Sequence, residues 1–260
     1  MRKAPLFLFV FCILGGSLVV FVVLPLARTL FGSPAGSLLQ ALGSPMVLRS
    51  IVLTFQASAL ATGVALLTGI PLAYLLARYR FRGKRLVEGI IDLPVVIPHT
   101  AAGIALLMVF GSQGLLGKWF GLFGIYFIDS LAGIVVAMLF VSLPYLVNMS
   151  REAFAMVDRE LENTALVEGA SAWQAFSYVT LPLAWRGVLG GAMMMWARGI
   201  SEFGAVVILA YHPKIVPVLI YELFMGFGLS AALPVAALLI LVVLVVFGLL
   251  RWLVLPDSGI

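Results

Sequence analysis

Six runs of this sequence, roughly Leu6 to Leu30, Ile51 to Ala77, Val87 to Phe110, Leu131 to Met149, Leu183 to Ala210 and Ala231 to Leu253, leave few folds open. Each is near or above the length of about 20 apolar residues that crosses a bilayer as a helix. Hydrocarbon offers no partner to a backbone N–H or C=O, so such segments must satisfy these groups internally. The runs therefore predict an all-α integral membrane protein with six transmembrane helices. Composition agrees, since 63% of the 260 residues are hydrophobic and only 10% are charged, a surface that a soluble domain of this size could not solvate. Pro94, Pro98 and Pro144 fall inside the third and fourth runs and predict interrupted helices there,.

Basic residues orient the chain. With the N-terminus in the cytoplasm, the inner segments hold Arg2, Lys3, Arg78, Arg80, Arg82, Lys84, Arg85, Arg151, Arg159, Arg186 and Arg251. The outer segments then hold only Arg28, Arg49, Lys118 and Lys214. Eleven against four fixes the expected orientation, with the chain multi-pass in the cell membrane,. The net charge of +5 reads as attraction to the anionic lipid bilayer, the run at 78–85 included, and no nucleic-acid module is visible,. The first run is too long for a signal peptide, carries Pro25 and lacks a small-residue cleavage site, so it is expected to remain as a span,. Cys12 within it is expected to be an inert buried thiol,. The Gly-rich aromatic stretch at 111–129, with Trp119 and Tyr126, should lie in the outer interface, and the stretch at 211–229 has a similar character,. Without linker, low-complexity tract or internal repeat, residues 1–260 read as a single transmembrane domain,.

One polar insertion, at 158–182, breaks this apolar pattern. Asp158 can cap a short helix whose Leu161, Ala165 and Leu166 share a face, and Gly169 permits a reversal of the chain,. Ser171 can cap a second helix carrying Trp173, Phe176 and Val179, which Pro182 should stop before the next span begins,. The product is a helical hook projecting from the bilayer. An amphipathic loop lying on the surface is the plainer alternative, but it would not demand a Gly and a Leu-Pro at fixed separation.

Two further clusters carry charge or break helices. Arg198 and Glu202 lie one helical turn apart, about 22 Å and about 28 Å along the axis from Leu183, past the midplane of the bilayer,. An unpaired charge at that depth costs about 2.5 kcal/mol or more, so both should face the bundle interior, each other or water. A structural ion pair and a place in an anion path both satisfy that requirement. In the third run, Pro94 and Pro98 free carbonyls, and the helix restarting after His99 offers free N–H groups that suit transient anion contact,. A lone histidine at such a break is more often bound to a backbone carbonyl than used as a ligand. Glu88 and Asp92 should sit near the inner surface beside Lys84 and Arg85,. Gly187 and Gly191 allow close helix approach,.

Gly169, nine residues, Val179, one residue, then Leu181-Pro182 resembles the coupling motif of ABC-importer permeases. WARGISEFGA at 196–205 with DLPVVIPHTAAGIALL at 92–107 resembles the tetrahedral-oxyanion permeases, most similar to the archaeal molybdate/tungstate type, from about Val47 to Leu241. Sulfate permeases carry a related Gly-Glu-Phe-Gly where this chain has Ser201-Glu202-Phe203-Gly204. The resemblance implies a type I ABC importer permease fold and a homodimer served by two ABC ATPase subunits and an external oxyanion-binding protein. ATP and Mg would sit on the ATPases, with no cofactor or metal on this chain. It also implies ATPase docking through Glu162, Ala165, Gly169, Ala170, Ser171, Trp173, Phe176, Val179, Leu181 and Pro182. A pathway or gate would involve His99, Pro98, Arg198, Ser201 and Glu202. The family usually has Glu-Ala-Ala where this chain has Asn163-Thr164-Ala165, the nearest acid being Glu162, one residue early.

Other function classes find less support. No HExxH, GxSxG or phosphate-binding GxxxxGKS/T is present, and the spans hold no nucleophile with a base, so no catalytic site is expected,. An ion-coupled secondary transporter would show inverted repeats or several midplane carboxylates.

Overall fold

The computed structural model describes residues 4–254, with side chains over 7–249; Arg2 and Lys3, and the side chain of Arg251, lie outside the described residues. The described chain is helical throughout, its elements being α1 (Ala4–Phe31), α2 (Ala35–Gly43), α3 (Pro45–Arg78), α4 (Lys84–Val96), α5 (His99–Phe110), α6 (Leu115–Gly121) and α7 (Leu131–Met156). There follow α8 (Arg159–Val167), α9 (Ala172–Ala175), a π turn at Phe176–Thr180, α10 (Leu181–Ile200), α11 (Gly204–Leu209), α12 (Val216–Phe227) and α13 (Leu229–Val254).

Among the described residues four helices, α1, α3, α7 and α13, are long and apolar enough to cross a membrane, and α4 with α5 makes a fifth span if the bent pair crosses as one. The expected fifth run is α10 plus α11: α10 has 20 residues, but Arg186 and Arg198 lower its hydropathy, and Ser201 to Phe203 interrupts it. The third run is broken at Pro98 as expected, with α4 and α5 bent by 115° at Ile97-Pro98, but not at Pro94, which lies inside α4. The residue before a proline disfavours helical backbone, and Ile97 is extended at ψ 144°.

Pro144, however, does not interrupt α7, which runs unbroken through it. Keeping the helix strands about one carbonyl, at roughly 1–3 kcal/mol. Leaving it would strip several backbone groups in an apolar medium, each costing several kcal/mol. The cheaper outcome is the observed one.

Contacts gather the chain into two compact units, residues 52–218 and, separately, the segments up to Ile51 and from Leu219. In the second of these, α1 and α2 pack against α13. The first part of α1 is otherwise bare, so Cys12 is exposed and not buried as expected; a helix whose whole circumference is apolar needs no protein neighbour to satisfy it in lipid.

Within residues 52–218 the core interleaves alanines with larger apolar side chains. Ala57, Ala61, Ala102, Ala137, Met138, Ala205 and Leu209 form one cluster and Ala73, Leu76, Val147, Phe154, Ala184 and Val188 another. Lipid gives helices no hydrophobic drive to associate, so close van der Waals approach has to supply it. The most extensive packing joins α7 to α10. A Cβ on Gly187 would overlap the Ala153 side chain, and one on Gly191 would come 3.1 Å from Met149 Cβ, so the two glycines set this approach as the sequence predicts.

The stretch at 211–229 differs from an interfacial loop: it contains α12, whose Val216 and Val218 are buried. The Val216 N–H donates to Thr54 Oγ1 at 2.9 Å. Trp119 and Tyr126, by contrast, are exposed.

Candidate functional site

The hook forms from local signals. Asp158 Oδ1 accepts the Glu160 N–H at 3.0 Å and starts α8. Gly169 has φ +95° with open space where a side chain would stand, so its backbone conformation and not crowding requires glycine,. Ser171 and Gln174 form a reciprocal capping box that starts α9,.

Two details depart from expectation. Pro182 does not stop the second helix. It lies in the first turn of α10, where no N–H is needed,, and the π turn before it, with Leu181 N–H donating to Phe176 O, carries the chain on without a break,. The second is Glu162: assigned to docking, it is buried, 9% accessible, while Leu161 and Leu166 of the predicted apolar face are exposed. A charged partner reaching it from α3 holds it inward.

That partner is Arg78. Its Nη2 lies 2.8 Å and its Nε 2.9 Å from Glu162 Oε1, while Nη1 donates to Val157 O at 3.0 Å. Thr180 Oγ1 also donates to Glu162 Oε1, and Tyr74 OH reaches Oε2 at 3.4 Å. Rings of Tyr74, Phe154 and Phe176 pack edge to face around the network. Glu162 thus spends its carboxylate inside the chain.

The remaining predicted docking residues divide by exposure. Gly169, Ser171, Trp173 and Pro182 are exposed, Trp173 at 73%. Ala165, Ala170, Phe176, Val179 and Leu181 are half-buried. Leu161, Leu166, Val167, Trp173 and Tyr178 leave an apolar surface on the hook, which meets the second core cluster through Phe176 and Leu181; such a surface suits a protein contact.

The second site assembles at the α4–α5 break. Glu202 is fully buried, and its Oε1 accepts the Ala205 N–H at 2.8 Å, opening α11. Its Oε2 lies 2.9 Å from His99 Nδ1 and 3.2 Å from Arg198 Nη2, at ion-pair distance from both although neither N–H is aligned for a hydrogen bond. Arg198 Nη2 is also 2.8 Å from His99 Nδ1, and its Nη1 donates to Ser201 Oγ at 3.1 Å. His99 therefore binds charged side chains and not the backbone carbonyl expected of it. Close backbone contact permits this, since a Cβ on Gly204 would stand 2.7 Å from His99 Cβ.

Pro98 precedes α5 with no side-chain hydrogen bond to its first turn, so the first N–H groups of α5, which lie beside Gly204, have no side-chain cap,. Arg198 keeps 22% of its side chain accessible above the buried carboxylate. A partly exposed guanidinium whose charge is balanced from below can take up an anion by changing partners.

Elsewhere, Glu88 pairs with Arg151 at 2.9 Å and with Lys84 at 3.9 Å, as its position suggests, whereas Asp92 accepts from Asn148 on α7 at 2.7 Å. Sequence reasoning missed two features. Arg78 passed for an anchoring charge. Ser50, Thr54, Ser58 and Thr62, all buried, repeat every fourth residue along α3; Ser58 Oγ donates to Trp196 O at 2.6 Å and ties α3 to α10. The period of four among hydroxyls was the available signal.

Residues 69–255 match the model of the binding-protein-dependent transport system inner membrane component family. The chain belongs to this family. It is 42% identical over 252 residues to the molybdate/tungstate transport system permease protein WtpB of Thermococcus kodakarensis, covering 95% of this chain and 96% of that one. It is 30% identical over 204 residues to a probable sulfate transport system permease protein of Chlorella vulgaris, 77% of each. In fold it matches the crystal structure of a bacterial ABC transporter that imports alginate, with TM-score 0.72, 17% identity and 96% of both chains covered. This inner membrane component is accordingly a multi-pass membrane protein with the type I ABC permease fold.

Proposed function

We propose that this protein is the membrane-spanning subunit of an ATP-driven importer of molybdate and tungstate. The observation that carries the reading is end-to-end similarity to a permease named for those anions, 42% identical across nearly the full length of both chains. The chain would act as one permease domain and pair with a second copy. Two ATPase subunits carrying ATP and Mg would dock on the two hooks, and an external binding protein would deliver the oxyanion. Transport, with no catalysis of its own, is the part assigned to this chain.

The exposed apolar face of the hook and the Gly169 reversal support docking there. Arg198, His99, Ser201 and the open start of α5 after Pro98 support a place for this cluster on the anion path, with Glu202 holding the cation. A tagged chain should bring down a nucleotide-binding subunit and, in liposomes with its binding protein, accumulate molybdate or tungstate on ATP addition. Copurification without an ATPase would exclude the importer reading. The similarity to a sulfate permease makes sulfate the competitor to include, and uptake of sulfate alone would move the chain to that branch.

The basic asymmetry supports a cytoplasmic N-terminus. In a Cys12→Ala background, single cysteines at Arg82 and Leu122, both exposed, should react with a membrane-impermeant maleimide from opposite sides, Arg82→Cys from within. Labelling of both from one side would sink this topology.

A further inference from the structure

The hook has two covalent connections to the bundle, and both are irregular. It enters through extended Val157 (φ −72°, ψ 128°) and leaves through the π turn at Phe176–Thr180. The exit runs on helically into α10, whereas the extended residue at the entry leaves the angle between α7 and α8 to tertiary contacts. What sets that angle is not the chain itself. Arg78, the last residue of α3, holds the entry through Val157 O and the first hook helix through Glu162, and Glu162 in turn holds the exit through Thr180. Arg159 closes the circuit by donating to Arg78 O, the carbonyl at the end of α3.

We propose that Arg78 is a positioning residue that fixes the hook to α3, so that a displacement of the hook reaches the bundle through the Arg78–Glu162 pair. The proposal rests on the docking reading given above. Stability alone does not account for the pair. Two desolvated charges, 5% and 11% accessible in their side chains, are commonly replaceable by apolar residues of equal volume at no loss. A guanidinium fork adds what an apolar contact lacks: it fixes the angle between its partners. Here it sets α8 against the end of α3 in one orientation. Lysine would retain the charge and lose the second and third contacts.

The test uses the whole complex of permease, ATPase and binding protein in liposomes, and reads oxyanion imported per ATP hydrolysed. That ratio falls only when hydrolysis is disconnected from transport; a role confined to folding lowers assembly, ATPase and uptake together and leaves it unchanged. Arg78→Met should lower the ratio at least about fivefold and Arg78→Lys should fall between Met and wild type. Thr180→Val, an isosteric loss of one hydroxyl, should lower it about twofold and carries the test alone should Arg78→Met not assemble. A second readout is the distance distribution between nitroxides at Arg82 and Glu168 in a Cys12→Ala background, which should broaden in Thr180→Val and Arg78→Lys. A wild-type ratio in every assembled variant, or an unchanged distribution, overturns the proposal. Failure of the wild-type chain itself to hold an ATPase would instead overturn the docking reading, so the two failures are separable.

Discussion

Gly169→Val is expected to abolish oxyanion-stimulated ATP hydrolysis while leaving the membrane bundle folded. At φ +95° a β-branched residue costs on the order of 1–3 kcal/mol,, and the strain is relieved by moving the backbone of the turn. What lies on either side decides where it moves. The first hook helix is held by the Arg78–Glu162 pair, and α9 by its capping box and by the π turn that continues it into α10, so the displacement should change the angle between the two hook helices and carry Trp173 out of register with α8. No residue of the buried clusters depends on that turn, which is why the fold should survive. Open space at the Cβ position means that a small side chain meets only the conformational penalty. Activity should therefore fall in the order Gly, Asn, Ala, Val, since asparagine enters the left-handed region more easily than alanine. Stimulation by the loaded binding protein, measured in liposomes on complexes of verified ATPase content, is the readout. Normal stimulation in Gly169→Val would remove the hook as the docking element.

The hook was legible in the sequence because its determinants are local. Asp158, Gly169, Ser171 and Gln174 act on backbone groups within three residues of themselves, and such signals survive without knowledge of the fold. The helix break at Pro98 is legible for the same reason. Residues joined from afar were not. Glu162 reads as a docking acid until Arg78 arrives from 84 residues away, and His99 reads as a lone ring until Arg198 arrives from 99 residues away. Pro144 misled because its local penalty is real and is outweighed by a property of the medium, the cost of stripping backbone groups in lipid. The number of spans was blurred where function intrudes on hydropathy: α10 holds two arginines, and α4 and α5 turn by 115° at the cluster.

That cluster bears the second large effect, and the informative variant is the double change Arg198→Met with Glu202→Gln. Arg198→Met alone leaves a fully buried carboxylate with only His99 beside it. Breaking a buried pair from one side costs about 3–5 kcal/mol, so loss of uptake in the single variant follows from either a packing or a pathway role. The double change removes both charges while roughly keeping volume. Glutamine keeps an oxygen for the Ala205 N–H, so the start of α11 is preserved, and it can still hydrogen-bond to His99. A pair needed only for packing should then be replaceable, with assembly and transport returning together. A guanidinium that meets the oxyanion should not be, because a dianion passing the open start of α5 would find no cation there. The expected result is a stably assembled complex with normal ATPase content whose uptake is reduced about a hundredfold or more, the upper part of the range for losing a charge-assisted contact. Near-normal molybdate or tungstate uptake by the double variant would return Arg198 and Glu202 to packing and leave the α5 N-terminus without a cationic partner on the path.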